Sequence, residues 1–357
     1  MKHVLVYGMT DNPGGIETYV LNFFERVQGK GVQLDFISDF PTIAHSERLT
    51  AKGAKLFFFP AKSKDLWGHL KGMWKLLRGH KEYKTVYFNI LDAGAAITMV
   101  PAFLLGRRIV VHSHNGSTDK VKLHKLCKPF LNLMASARVA CSRVAAEHMF
   151  CGKGKQCLVI PNAIDGAAHR FDPQLREEKR AQLQLGQRPA ICHVGRLSLQ
   201  KNPLGLLDIF EALLEECPQA VLLSVGDGEM AEQFHGRIAE KGLGESVKCL
   251  GVRNDVSQIL QAADVFLLPS LYEGLPISLL EAQASGLPCV VSDAVSAESA
   301  ITDRVSFVSL EAEPWIWAQK LVAALQLPRQ DCYHQILEAG FDLSCCDTFD
   351  QLLLEKF

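Results

Sequence analysis

Arg196 and Lys201 stand five positions apart in Gly195-Arg196-Leu197-Ser198-Leu199-Gln200-Lys201-Asn202-Pro203, directly after a β-branched run, Ala190–Val194. Gly195 lets the backbone turn tightly at the end of that run. Asn202 is a good helix N-cap and Pro203 a good first helical residue. Two cations in a loop that leads into a helix N-terminus suit a diphosphate. The plainer alternative is a surface loop with two solvated charges.

A second segment, Pro269 to Ala282, follows the apolar run Val265–Leu268. Pro276 opens a helix there, and Gly286 closes it with Pro288 just beyond. The N–H groups of Gly274, Leu275 and the first helical turn are candidates to hold phosphate or sugar oxygens. Glu273 precedes the helix. Glu281 lies inside it, among Leu279, Leu280, Ala282 and Ala284. A carboxylate in such surroundings is costly unless it is paired or hydrogen-bonded, and vicinal hydroxyls of a ribose or hexose would serve. The alternative for Glu281 is an exposed helix face.

The pattern G-R-L-x-x-x-K-N followed by E-G-L-P-x-x-L-L-E-A resembles the retaining GT-B glycosyltransferases of the glycogen-synthase-like, polysaccharide-building type, family GT4. Gly14-Gly15-Ile16-Glu17, Val111-His112-Ser113-His114-Asn115 and Ile160-Pro161-Asn162-Ala163-Ile164-Asp165 resemble the same family, in the expected order, so the likeness covers nearly the whole chain. It implies an α/β fold of two Rossmann-like doubly wound domains facing across a cleft. It also implies transfer of a sugar from a nucleotide-sugar donor, expected to be UDP-linked, to a saccharide or lipid-linked saccharide in capsule or exopolysaccharide biosynthesis. By the same resemblance, Arg196 and Lys201 bind the donor diphosphate, Glu273 contacts the donor sugar, and Glu281 holds the ribose. Gly14 and Gly15 allow close backbone approach, and His114 positions the sugar. Separately, the loop Gly251-Val252-Arg253-Asn254, with Arg253, is a candidate for base recognition, though the sequence does not identify the base. No cofactor or metal is expected, nor any nucleic-acid partner. The motifs do not specify the sugar. A sugar-nucleotide epimerase or phosphorylase on the same fold, or a non-catalytic sugar-nucleotide-binding module, remain alternatives.

His112, His114 and His124 lack a convincing carboxylate or thiolate partner for a metal site. His112 and His114 alternate on a strand end, so both should point to one face. No carboxylate stands out as a nucleophile, and Glu273 and Glu281 do not compel the facing pair of glycoside hydrolysis. The resemblance implies instead a front-face route in which the leaving phosphate helps take the acceptor proton. No GxxxxGK[ST], and no GxGxxG after the first strand, is present, which disfavours kinase and dehydrogenase readings.

The elements that must position these residues alternate. Strands are expected at His3–Tyr7, Gln33–Ile37, Lys55–Phe59, Thr85–Phe88, Ile109–His112, Arg138–Cys141 and Leu158–Ile160. In the second half they are expected at Ala190–Val194, Ala220–Val225, Val247–Leu250, Val265–Leu268 and Cys289–Ser292. Helical spacing between them, as in Ile16–Val27 and Leu66–Leu77, gives βαβ logic and a mostly parallel sheet. The alternation pauses at the polar stretch Asp172–Gln187. Domains are therefore expected at 1–165 on the acceptor side and 166–347 on the nucleotide-sugar side, joined near 165–188. A C-terminal helix at 348–357 would pack back on the first domain.

The chain has 357 residues, enough for two cores. Its net charge of −1 hides a polarity. Residues 1–165 carry 23 basic and 12 acidic side chains, a net +11, and residues 166–357 carry a net −12. Such asymmetry suits an anionic ligand or surface on one side. The eleven cysteines show no CxxC pair and no zinc spacing, which points to a reducing cytosol. Met1–Gly8 reads as a strand, not a leader, and the apolar stretch Ala93–Leu105 is too short to span a bilayer. A cytoplasmic protein is expected, with peripheral contact between its basic half and the anionic inner face of the plasma membrane. Two basic segments carry that expectation: Lys62–Lys84, with the stripe Leu66, Leu70, Met73, Trp74 and Leu77, and the cluster Lys120, Lys122, Lys125 and Lys128. The stripe on Lys62–Lys84 is more readily explained by packing on its own sheet.

Overall fold

The computed structural model describes residues 1–152 and 157–357. The chain divides into two compact units, one formed by Met1–Asn162 with Cys346–Phe357, the other by Ala163–Cys345.

In the first unit β1 (Lys2–Tyr7) leads to α1 (Gly15–Arg26), β2 (Val32–Ser38), α2 (Ser46–Ala51), β3 (Leu56–Phe58) and α3 (Leu66–Gly79). Then come β4 (Tyr83–Ile90), α4 (Ala96–Leu104), β5 (Arg108–Ser113), α5 (Val121–Met134), β6 (Ala137–Ala140), α6 (Arg143–Met149) and β7 (Leu158–Val159). Among the described residues the strands form one seven-stranded sheet in the order β3-β2-β1-β4-β5-β6-β7, and every pairing is parallel. Strands covered on both faces read as continuous apolar runs. Val4 to Tyr7, Val86 to Phe88 and Ile109 to Val111 are all buried accordingly. The order reverses between β1 and β4, so ligands are expected beyond the carboxyl ends of the strands there.

Helices α3, α4 and α5 pack side by side in a row. Within α3, Met73 and Leu77 are buried, and Leu66, Leu70 and Trp74 are partly covered. The apolar stripe of the first basic segment therefore faces inward and is core.

The second unit opens with α7 (Gly166–His169) and α8 (Pro173–Gln182). The polar stretch that suggested a joint between domains is thus largely helix. Asp172 caps α8, accepting from Gln174 N and Leu175 N. Its charges have partners far along the chain: Arg176 with Asp264 at 2.6 Å, and the buried Lys179 with Asp255 at 2.8 Å. The stretch is polar because it is stitched into this unit by ion pairs.

A second alternation follows: β8 (Ala190–Val194), α9 (Pro203–Glu216), β9 (Val221–Val225), α10 (Ala231–Glu240), β10 (Val247–Gly251), α11 (Val256–Ala262) and β11 (Val265–Leu268). It continues with α12 (Ile277–Ala284), β12 (Cys289–Ser292), β13 (Val305–Val308), α13 (Pro314–Leu325) and α14 (Tyr333–Glu338). The parallel sheet runs β10-β9-β8-β11-β12-β13, reversing between β8 and β11. Its edge strand β13 was not among the expected strands.

The last helix, α15 (Asp347–Lys356), belongs to the first unit. Arg26 donates to both carboxylate oxygens of Asp350, at 2.9 and 3.0 Å. Lys30 meets Asp347 at 2.8 Å, and the Phe357 ring packs on Tyr87 and Phe23. All eleven cysteines are free thiols. Among the described residues no helix is long and apolar enough to cross a membrane.

Candidate functional site

Gly195, Arg196, Lys201, Glu273, Gly274, Leu275 and Pro276 lie on the loops that leave β8 and β11, the two strands at the reversal of that sheet. After β8 the chain passes Gly195 and Arg196 and makes a short 3-10 turn, Leu199–Lys201. Asn202 then takes a left-handed conformation, φ 54°, a region Asn tolerates better than most residues. Its Oδ1 accepts from Gly205 N, so it caps α9, and its Nδ2 donates to Pro269 O at 3.2 Å. One side chain thus starts a helix and ties the β8 loop to the β11 loop. Leu271 N donates to Gln200 O at 2.8 Å and strengthens the same seam.

This seam positions an ion pair. Lys201 Nζ lies 2.6 Å from Glu273 Oε1, and both side chains are largely buried. Gln200 Nε2 donates to Glu273 Oε2 at 3.3 Å and to Tyr272 O at 3.1 Å. A Cβ on Gly195 would sit 3.1 Å from the aliphatic stem of Lys201, so glycine leaves room for the close passage of that stem. Arg196 is exposed and meets Glu229 at 3.0 Å. Such exposed pairs contribute little stability, so an incoming anion can displace this one cheaply.

Gly274, Leu275 and Pro276 are buried at the approach to α12, with Pro276 in its N-cap position. Glu281 lies in the helix with His169 Nε2 at 3.7 Å. Burial raises the Glu281 pKa, and the nearby His169 opposes this. His169 Nδ1 is 2.9 Å from Asp165 O. Arg253 stands apart, after the edge strand β10. Its guanidinium grips Asp255 with two bonds of 2.8 Å, and Lys179 holds the same carboxylate. The structure therefore brings Gly195, Lys201 and Glu273 together and leaves Arg253 two strands away in an ion pair of its own.

In the first unit the loop after β1 begins at Gly8. Its φ is +118°, and a Cβ there would fall 2.0 Å from Asn89 O, so β1 and β4 meet closely at their carboxyl ends. Glu17 Oε1 accepts from the N–H and the hydroxyl of Thr10, at 2.8 and 2.9 Å, which folds the loop back onto α1. Gly14 is the N-cap of α1 and Gly15 its first residue. A side chain at Gly15 would meet nothing within 4 Å, so space beside the helix start is open.

His114 lies just past β5, its Nε2 3.0 Å from Asn89 Oδ1 and its N–H bonded to Ile90 O. Its ring is 4.1 Å from that of His112, on the same side of the chain, and 5.3 Å from that of Tyr19. Burial pushes its pKa down to about 3, so the imidazole is neutral near pH 7. With Asn89 Oδ1 accepting from Nε2–H, the lone pair sits on Nδ1. His112 is likewise held neutral by burial, with Nδ1 2.6 Å from the Tyr87 hydroxyl. His124 stacks instead on His148, at 4.1 Å. Among the described residues no group of three or more His, Cys, Asp or Glu side chains is arranged to hold a metal.

Asn89, Gln200 and His169, each touching a candidate residue, carry no motif of their own. Strand register could have suggested only Asn89, which pairs with His112 across β4 and β5.

Comparison with known proteins fits these two halves. Residues 175–330 match the family described as glycosyl transferases group 1, and residues 13–167 match glycosyltransferase family 4. A putative glycosyltransferase, EpsF, of Bacillus subtilis (strain 168) is 28% identical over 93% of this chain and 90% of its own. The UDP-Gal:alpha-D-GlcNAc-diphosphoundecaprenol alpha-1,3-galactosyltransferase of Escherichia coli is 31% identical over 67% of this chain and 66% of its own. Among solved structures, Anabaena Alr3699/HepE in complex with UDP and glucose superposes with a TM-score of 0.81 at 21% identity, covering 99% of each chain. The fold is GT-B, and the chain belongs to the group 1 glycosyltransferases with a family 4 N-terminal half.

Proposed function

We propose that this chain is a retaining, metal-independent hexosyltransferase that uses a UDP-linked sugar and extends a saccharide or lipid-linked saccharide in polysaccharide biosynthesis. The observation that carries this reading is the buried Lys201–Glu273 pair, held between the two loops at the reversal of the second sheet. Relatives support the substrate classes. One is named for UDP-galactose and a diphosphoundecaprenol-linked acceptor, and a structural neighbour was solved with UDP-glucose.

In this reading Arg196 and Lys201 take the donor diphosphate, and their charge counts most as the bond to the sugar breaks. Glu273 grips sugar hydroxyls, Glu281 the ribose, and the loop with Arg253 lies toward the base. Gly274, Leu275 and Pro276 lead into α12, and the N–H groups of Gly274, Leu275 and its first turn face donor oxygens. In the first unit Gly14 and Gly15 leave room for close approach, and neutral His114 positions the transferred sugar. The acceptor hydroxyl attacks the anomeric carbon on the face the diphosphate leaves. The carbon–oxygen bond to phosphate breaks as the new glycosidic bond forms, and the hydroxyl proton passes to the departing phosphate. The protein works in the cytoplasm, its basic unit in peripheral contact with the anionic inner face of the plasma membrane.

The test is a thermal-shift screen over nucleoside diphosphates and nucleotide sugars, since a ligand of the folded state raises its stability. It is followed by assay of UDP release with and without a saccharide acceptor. Stabilisation by UDP and release that depends on acceptor are expected. Conversion of the donor with no acceptor present would mark an epimerase and overturn the reading.

A further inference from the structure

Helix α5 leaves an apolar face uncovered. Leu123, Leu126, Phe130 and Leu133 recur at helical spacing and so share one side of the helix. Leu126, Phe130 and Leu133 are 68, 60 and 73% exposed. The other side, with His124, Leu131, Asn132 and Met134, is buried. The neighbouring α4 adds Ile97, Phe103 and Leu104, all exposed. An outer helix face of this kind is ordinarily polar, and an apolar patch of several large side chains marks an interaction surface.

Charge selects the occupant. Lys120, Lys122 and Lys125 are exposed along the same segment, and α5 carries no acidic residue. Lys128 is committed elsewhere, donating to the carbonyls of Glu147 and His148, which fixes α5 against the end of α6. A second copy of this face is a poor partner, because two-fold pairing would set lysines against lysines. Leucines and a phenylalanine rimmed by lysines match a different surface. The apolar side chains reach the acyl boundary, the ammonium groups meet headgroup phosphates, and the lysine stems lie along the patch.

We propose that α5, flanked by α4, is the surface on which this chain docks to an anionic lipid bilayer. The proposal rests on the reading above, in which the basic unit contacts the membrane and the acceptor is lipid-linked, and of the two basic segments it assigns the contact to α5, because the stripe on α3 is core.

Sedimentation of the full chain with phosphatidylcholine vesicles, with and without phosphatidylglycerol, tests it. The wild-type chain should bind the anionic vesicles and be released by salt. Two variants, L126E/F130E/L133E and K122E/K125E, alter only exposed side chains, and each should bind about tenfold or more weakly, given the contribution of each juxtamembrane lysine. Unchanged melting temperatures would show that both still fold, and an unchanged shift with UDP would show that the donor site is intact. Wild-type protein that ignores anionic vesicles, or variants that bind as well as wild type, would overturn the proposal. So would a triple variant that turns an oligomer into a monomer with vesicle binding intact. Any of these with the UDP shift preserved leaves the transferase reading standing. Loss of UDP binding in the wild type, with vesicle binding intact, sinks that reading and spares this one.

Discussion

Lys201 Nζ and Glu273 Oε1 stand 2.6 Å apart, and Glu273 is only 7% exposed. The cation proposed to meet a donor phosphate is already neutralised by the carboxylate proposed to grip the sugar. The two groups offset one another in a buried place, so neither can be removed alone without cost. Lys201→Ala should therefore lower stability by about 3 kcal/mol, as expected when a buried pair loses one partner. Turnover should fall about a hundredfold or more. Adding Glu273→Gln should restore most of the stability and none of the turnover. Urea denaturation beside a UDP-release assay reads both, and a single variant as stable as wild type would show that the pair is not held as described.

The neutral state of His114 has a consequence for pH. Its pKa is about 3 when folded and about 6.5 when unfolded. Below pH 6.5 the unfolded chain takes up a proton that the folded one cannot, so stability falls as pH drops from about 6.5 toward 3. At pH 5 this one group costs about 2 kcal/mol. His193, pushed down to about 4 by burial, adds to the same slope. His114→Gln should flatten the acid limb between pH 7.5 and pH 5 by about that amount. Turnover of the wild type should show no inflection from His114 between pH 6 and 8. Equal acid sensitivity in wild type and variant would contradict a buried neutral imidazole.

Much of this architecture is legible in the sequence because both sheets are covered on both faces. Val4–Tyr7, Val86–Phe88 and Val265–Leu268 announce themselves as unbroken apolar runs. Strand β13 does not. It is an edge strand with Ser306 and Phe307 exposed, and its four residues carry no continuous pattern. Helix α8 misleads for the opposite reason. Its cations look solvated until Asp255 and Asp264, some eighty positions on, are seen to receive them. At the site, Gly195, Lys201 and Glu273 are readable from spacing and capping signals. Gln200, Asn89 and His169 are not, because each owes its place to a partner on another element.

Glu281 should separate binding from stability. Burial raises its pKa, so any stability it adds is present at low pH and is lost as pH rises through the folded value. Above the folded value its charge is held at a cost in the folded protein. Glu281→Gln should therefore melt at the same temperature as wild type or higher. It should bind UDP about tenfold more weakly, the usual effect of losing a hydrogen bond to a charged acceptor. Melting curves with and without UDP give both numbers, and undiminished UDP stabilisation would remove Glu281 from the nucleotide site.

Arg26 and Asp350 close the first unit from opposite ends of the chain, 324 positions apart. Asp350 is almost fully buried and accepts both prongs of the guanidinium, a geometry that fixes α15 against α1. Phe357, edge-on to Phe23 and tilted against Tyr87, extends the contact, and Thr85 Oγ1 donates to its carbonyl. The terminal helix is thus part of the core of the unit that carries His114. Asp350→Ala leaves a largely buried guanidinium without its carboxylate and should cost about 3 kcal/mol, whereas the double change Arg26→Leu with Asp350→Leu should cost less, because no charge is left without a partner. Hydrogen exchange read by mass spectrometry should show faster exchange of α1 and β4 in the single variant and an unaltered β8–β11 region. Equal protection of α1 in wild type and Asp350→Ala would mean that the ion pair contributes nothing to holding this unit together.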